Sequence, residues 1–340
     1  MNWYLAAPFI HDAADLWLTK FIPSDGRMRF QTVPAAYHHD RSRKTTGLAA
    51  WADYFRHGHA VWNAARRDQQ RSGILTCFPQ LPVAVGLRKR LARSHMPVVA
   101  WNMNLGGLYP GARQRLAKEA LRDVDRFVVH SRLEIEAYSE WLEMDPKRFE
   151  FVPLQRATLD ITVDEDRDQP FVLSMGSAHR DYRLLFAVLA ELRYPAVVVA
   201  GQHAIEGLTI PANVTVRRGL TVEQCHLLVQ RARVNVIPVD NQLTASGQVT
   251  LLDAMVFGRA TVMTRCPASV DYVEDGKDVM LIGPGDHDAL KGAIATLWED
   301  DALRAAMGSA ARRTAVDRFS DQAIGKEMGR VLAEVAAQRA

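Results

Sequence analysis

Two stretches of the chain combine residue types that could grip a phosphorylated ligand. Residues 171–182 run an apolar strand, Phe171 to Met175, into Gly176-Ser177-Ala178-His179-Arg180-Asp181-Tyr182. Backbone N–H groups left free after a glycine, with a guanidinium beside them, form an anion site suited to a diphosphate. An ordinary strand-to-helix turn capped by Asp181 fits the same residues. In the second stretch, 238–255, a strand ends at Pro238, a polar loop follows, and a helix starts near Ser246. The first amides of that helix, over Ser246, Gly247, Gln248, Val249 and Thr250, have no side-chain cap in the sequence and are left to solvent or a ligand. Asp253 follows two turns in, where a carboxylate can accept two hydrogen bonds from vicinal hydroxyls such as a ribose diol. The alternative is a surface aspartate, but Leu251, Leu252, Ala254 and Met255 around it make burial without partners costly.

Other motifs exclude chemistry. No GxGxxG occurs, which disfavours nicotinamide and flavin binding, and no cofactor is expected. His38, His39, His57 and His59 look like a ligand cluster, yet no carboxylate or Cys completes metal-ligand spacing, so a solvated or core role is expected. Paired aspartates occur at Asp123 and Asp125, Asp164 and Asp166, Asp166 and Asp168, and Asp286 and Asp288. The first pair ends a helix, the next two fall in a linker and the last caps a helix, so no metal is expected. Cys77, Cys225 and Cys266 lie far apart without CxxC spacing and read as buried thiols in a reducing compartment.

These residues must be positioned by a larger framework. At 340 residues the chain is roughly twice a typical domain of about 150 residues. Short apolar runs alternate with helix-length amphipathic segments, the pattern of parallel sheets covered on both faces. Strands are expected at 3–7, 28–33, 74–78, 98–101, 127–129 and 149–152, with helices most clearly at 48–71 and 113–124. After an acidic stretch at 160–170, a second series has strands at 171–175, 197–200, 214–216, 234–238, 261–263 and 279–282. Helices are expected there at 182–192, 222–232, 249–257 and 288–298, with helix only from 302. The domain reading is therefore 1–156, a linker at 157–170, a second domain at 171–318 and a closing helix at 319–340. Two such α/β domains imply a cleft, with ligands at the carboxyl ends of the strands.

Charge is uneven. Residues 1–118 hold 17 Lys and Arg against 6 Asp and Glu, a net of +11; residues 119–340 hold 25 against 33, a net of −8. A solvated Arg-rich face and an anion-binding face both fit. Arg88, Lys89, Arg90 and Arg93 beside Val85, Leu87 and Leu91 read as a short basic amphipathic segment, suited to an anionic membrane surface. No zinc finger, aromatic RNA-binding strand motif or helix-turn-helix spacing is visible, so no nucleic acid partner is expected. The apolar opening at 3–10 is too short for a span and lacks the basic flank of a signal peptide, and a cytoplasmic location is expected.

The stretch 219–232 through Ile237 and Pro238, then Leu251 to Met255, Gly258 to Val262, Val273 to Gly276 and Gly283 to Asp286, resembles retaining family-4 glycosyltransferases of the GT-B fold. Arg318-Phe319-Ser320 resembles the point where their last helix crosses back to the first domain, and residues 125–131 and 151–153 are also similar. The resemblance covers the chain from Val98 onward and is weak over the first 97 residues. It implies two Rossmann-like domains facing across a cleft, with a nucleotide-diphosphate sugar as donor in the second. The family's Glu-x(7)-Glu motif falls on Ala245 and Asp253: the carboxylate for the ribose is kept, whereas the glutamate that touches the donor sugar is lost. Ser246, Gln248 or Thr250 are substitutes for it. Ser177 departs from the family's diphosphate arginine, Arg180 stands for its lysine, the Arg-Asp-Tyr run to Tyr182 resembles a variant of some relatives, and Leu220 and Thr221 would flank the nucleobase.

In the first domain, relatives carry a histidine after the fourth strand, where this chain has residues 100–104 ending in Asn104. His11 after the first strand and His130 before Ser131 are the remaining candidates to assist an acceptor, each with a structural role as the alternative. The basic front third suggests an acceptor with a polyprenyl pyrophosphate at a membrane, as in bacterial surface or exopolysaccharide assembly. A sugar-nucleotide epimerase of the same fold and a non-catalytic nucleotide-sugar-binding subunit stay open as other readings, the latter because of Ala245.

Overall fold

The computed structural model describes residues 1–23, 26–38 and 46–338. The chain divides into two units, Met1–Pro153 with Asp321–Ala340, and Leu154–Ser320.

The first unit contains β1 (Asn2–Ala6), β2 (Arg29–Thr32), α1 (Leu48–Arg67), β3 (Ser72–Cys77), α2 (Gln80–Leu91), β4 (Val98–Trp101), α3 (Ala112–Leu121), β5 (Arg126–Val129), α4 (Leu133–Leu142) and β6 (Phe149–Phe151). Its strands form one parallel sheet in the order β2-β1-β3-β4-β5-β6, in register through Tyr4 opposite Ile74 and Ile74 opposite Val98. β1 and β3 are buried over their whole lengths, as a sheet covered on both faces requires. Alternation along β1 sorts its side chains: Tyr4 and Ala6 pack with Trp62, Leu81 and Tyr138, while Trp3 and Leu5 pack with Ile324, Met328 and Leu332 near the chain's end.

Two departures from the sequence pattern have local causes. The helix expected to run to 71 stops at Arg67, because the Asp68 carboxylate accepts hydrogen bonds from Asn2 Nδ2 (2.6 Å) and the Tyr4 hydroxyl (2.9 Å) and turns the chain onto β1. α2 does not present the expected basic stripe: Lys89 is buried in an ion pair with Asp125 (2.5 Å), Val85 is buried, and Leu91 is 83% exposed. Arg88 and Arg93 remain at the surface.

The second unit contains β7 (Val172–Met175), α5 (Tyr182–Leu192), β8 (Ala196–Val199), α6 (Gln202–Ile205), β9 (Val214–Arg217), α7 (Val222–Arg231), β10 (Val234–Ile237), α8 (Gln248–Val256), β11 (Thr261–Thr264), β12 (Met280–Ile282), α9 (His287–Glu299) and α10 (Asp301–Phe319). α11 (Asp321–Gln338) belongs to the first unit, so the closing helix crosses back as expected. The second sheet is parallel in the order β12-β11-β10-β7-β8-β9. From β7 the chain builds outward to β8 and β9, then returns to lay β10 on the other side of β7. Between β7 and β10 the winding reverses, and loops leaving two such strands part to form a binding crevice.

The acidic stretch read as a linker has neither helix nor strand and is bonded to this second unit. Thr162 N and Val163 N donate to Gln230 Oε1 (2.6 and 3.3 Å), and Glu165 is held by Arg233 and Arg304. Those arginines absorb part of its negative charge. Among the described residues, no helix is long and apolar enough to cross a membrane.

Candidate functional site

The two loops at the reversal of the second sheet are joined. Arg180 and Val239 form an antiparallel bridge, Asp181 N donates to Pro238 O (3.1 Å), and Val239 N donates to Thr264 Oγ1 (2.9 Å). The Arg180 guanidinium lies across Gly176, donating to Met175 O (3.1 Å), Ala178 O (2.8 Å) and Thr250 Oγ1 (3.3 Å). Gly176 has φ +115°, and a Cβ there would come within 2.6 Å of Arg180 Nη2. Burial lowers the Arg180 pKa from its ordinary value, though an arginine stays protonated at neutral pH. Ser177 Oγ accepts from Gly201 N (2.7 Å) and keeps its hydroxyl proton to donate. Tyr182 is buried; its hydroxyl donates to Gly176 O (2.6 Å), and burial pushes its pKa up to about 12. Asp181 caps α5 through Leu184 N (3.0 Å), so the capped turn and the anion-site arrangement coexist in one loop.

Across the reversal, Gly247 precedes α8 with φ +92°, and no side chain caps that helix. Ser246 and Thr250 are half-buried, and Val249 is 51% exposed. Gln248 is buried and donates Nε2–H to the Tyr272 hydroxyl (2.9 Å). Ala245, where the resemblance expects a glutamate, is buried. Asp253 is also buried, 7% exposed, and forms an ion pair with Arg156 Nε (2.5 Å), with His226 Nε2 at 3.8 Å. Burial raises the Asp253 pKa, while Arg156 pulls it back. Thr221 is the N-cap of α7 in a reciprocal capping box with Gln224, and Leu220 lines a pocket of about 160 Å³ with Arg217, Gln224 and Leu228.

In the first unit, His11 is exposed and its Nδ1 lies 3.0 Å from Ala35 O. Asn104 Oδ1 accepts from Gly106 N (2.8 Å). His130 is buried: Nδ1 is 2.7 Å from Val152 O, and Nε2 is 2.7 Å from Oδ1 of Asn102, a residue at φ +53°. Burial lowers the His130 pKa to about 4, which leaves the ring neutral at pH 7. Glu134 accepts from His130 N (3.2 Å) and the Tyr138 hydroxyl (2.8 Å), and Tyr138 in turn accepts from Leu105 N (3.1 Å). This buried network fixes the loop after β4 that carries Asn104. His57 is buried against Val33 O (2.7 Å), and His59 is bonded to Asn63. His39 lies outside the described residues, and among those described no His, Cys, Asp and Glu group could hold a metal. Cys77 and Cys266 are buried; Cys225 is only half-buried.

Residues 170–300 match the family model for glycosyl transferases group 1. No curated protein matches the sequence. Among solved structures, sucrose-phosphate synthase from Thermosynechococcus elongatus is 16% identical, with a TM-score of 0.72 and 99% of each chain covered. HepE of Anabaena, solved with UDP and glucose, is 15% identical at a TM-score of 0.69, covering 98% of this chain and 99% of its own. A glycosyltransferase from Rickettsia africae is 9% identical at a TM-score of 0.69, covering 98% of each chain. The fold of this glycosyltransferase is thus GT-B along its length.

Two residues beside Asp253 carry no signal in the sequence. Arg156 precedes the acidic stretch and stands far from Asp253 in sequence, and His226 lies on the inner side of α7, half-buried. Only the cost of burying Asp253 alone indicates that a cation must meet it.

Proposed function

We propose that this glycosyltransferase moves a sugar from a nucleotide-diphosphate donor, bound by the second unit, to a saccharide acceptor, with retention at the anomeric carbon. The reading extends to a lipid-linked acceptor in surface or exopolysaccharide synthesis. One observation carries the donor site: the Arg180 guanidinium and the uncapped first turn of α8 are tied together by the Arg180–Thr250 hydrogen bond at the reversal of the sheet. Both present positive charge where a diphosphate gains negative charge as it leaves. The Ser177 hydroxyl has a proton to donate to the same phosphates, and Asp253 faces the ribose hydroxyls. HepE was solved with UDP-glucose as well as UDP, which favours a uridine nucleotide as the first probe. In the reaction the bond from the anomeric carbon to the diphosphate oxygen breaks and a bond to the acceptor oxygen forms on the same face. The acceptor proton goes to the leaving phosphate, so no protein nucleophile is needed.

Thermal shift against UDP, GDP and ADP sugars identifies the donor, because a ligand that binds only the folded form raises Tm. Hydrogen bonds to a charged group contribute about 1.5–3 kcal/mol, so Asp253→Ala should weaken nucleotide binding roughly tenfold to a hundredfold. Arg180→Ala should lower kcat by about 10²–10³, the loss expected for one electrostatic donor. Wild-type behaviour of both variants would sink the site assignment.

A further inference from the structure

We infer that Arg156 is a positioning residue of the nucleotide site: it fixes the Asp253 carboxylate so that one oxygen is presented to the ligand. The inference rests on the reading of Asp253 as the ribose acceptor. Asp253 Oδ1 forms an ion pair with Arg156 Nε at 2.5 Å without hydrogen-bond geometry and faces His226 Nε2 at 3.8 Å, so the cation holds that oxygen by charge, and Oδ2 too carries no hydrogen bond among the described residues. A guanidinium only donates, so the 2.8 Å contact between Arg156 Nη2 and His226 makes Nε2 of that ring an acceptor and puts its proton on Nδ1. Arg156 therefore bridges α7 and α8 with two nitrogens of one rigid plane.

The backbone that carries it is equally fixed. Arg156 N donates to Phe319 O (2.8 Å) at the end of α10. Leu154 N donates to the Tyr272 hydroxyl (2.8 Å), which also receives Gln248 Nε2 from the first residue of α8. The segment that aims Asp253 is thereby tied to the start of the same helix. The other polar groups in the neighbourhood do not replace it. Cys225 on α7 is half-buried and uncharged, and Arg312 on α10 donates to Val256 O and Leu159 O. Removing the guanidinium would leave the buried carboxylate with only the His226 ring, at 3.8 Å, as a partner and free to rotate.

The test is a double-mutant cycle on the full chain, with UDP as probe and calorimetric titration as readout. R156Q should weaken UDP binding about tenfold when Asp253 is present and by no more than about twofold in a D253N background, because a residue acting through Asp253 loses its effect when that carboxylate is gone. A merely structural role gives the same loss in both backgrounds, and that result overturns the inference. R156K, which keeps a cation but lacks the planar fork that spans both partners, should lose about threefold in the wild-type background and nothing measurable with D253N. It carries the same test if R156Q fails to melt as a folded protein. D253N with wild-type UDP affinity would remove the ribose assignment and this inference together; D253N weakened but additive with R156Q would remove this inference alone.

Discussion

The glycine that opens the loop after β7 and the arginine near its end constrain each other. With φ at +115° and the guanidinium packed where a Cβ would lie, Gly176 admits no side chain, so Arg180 can fold back across the loop and reach Thr250. Residue type and spacing made Arg180 and Asp253 visible in the sequence; the ion pair of Asp253 with Arg156 was not, because partners distant along the chain leave no periodic signal. His130 shows the opposite limit. Its place before Ser131 suggested chemistry, but the ring is buried with both nitrogens engaged, and its measurable property is titration. Its pKa is about 4 in the folded protein, against an ordinary 6.5. The unfolded chain therefore binds more protons between those values, and the stability His130 contributes is complete above about pH 6.5 and lost as pH falls toward 4. Roughly 2 kcal/mol of it should vanish between pH 7 and pH 5, because each tenfold rise in proton activity within that window favours the unfolded chain by about 1.4 kcal/mol. Urea unfolding of wild type and His130→Gln at the two pH values checks this: the variant should lose correspondingly less, and equal losses would contradict the assignment. Burial shifts His57 the same way, so a residual slope of the same sign is expected.

Among the elements, strands were the most legible. Runs such as 98–101 and 172–175 are apolar on both faces, and their identity survives any error in their ends. Element ends were less legible, because single residues set them: Asp68 stops α1, and the left-handed Gly247 starts α8 at Gln248. The second case has a consequence that can be measured. Gly247 adopts φ +92°, and a Cβ would lie 3.1 Å from Ile237 Cγ2 and 3.2 Å from Met263 Cε. Gly247→Ala combines backbone strain with crowding against β10 and β11, and should destabilise the protein by about 1–3 kcal/mol. Because the strain relaxes by moving the first turn of α8, UDP affinity should fall with it. Urea midpoints and UDP titration read the two effects, and a variant that matches wild type in both would show that the left-handed residue does not set the helix start.

For the whole molecule, charge carries an argument that neither sheet does. The net of +11 over residues 1–118 was plain in the sequence, but which cations reach solvent was not, since folding places Lys89 against Asp125. What remains outside includes Arg88 on α2 and Arg93 just past its end, with Leu91 83% exposed between them. If the acceptor is lipid-linked as proposed, this surface should bind anionic vesicles, with about 1 kcal/mol per cation near the surface. Reversing two charges in an Arg88→Glu, Arg93→Glu variant should then weaken binding to phosphatidylglycerol-containing vesicles by tenfold or more, and raising the salt from 0.1 to 0.5 M should weaken the wild type similarly. Lys89→Met tests the distinction drawn by the fold: its cation is already neutralised inside, so vesicle binding should be unchanged while stability falls, because Asp125 loses its buried partner. Sedimentation with neutral and anionic vesicles separates the outcomes. Equal binding to both lipid types would assign the basic surface to solvation and detach the lipid-linked acceptor from the sugar-transfer reading.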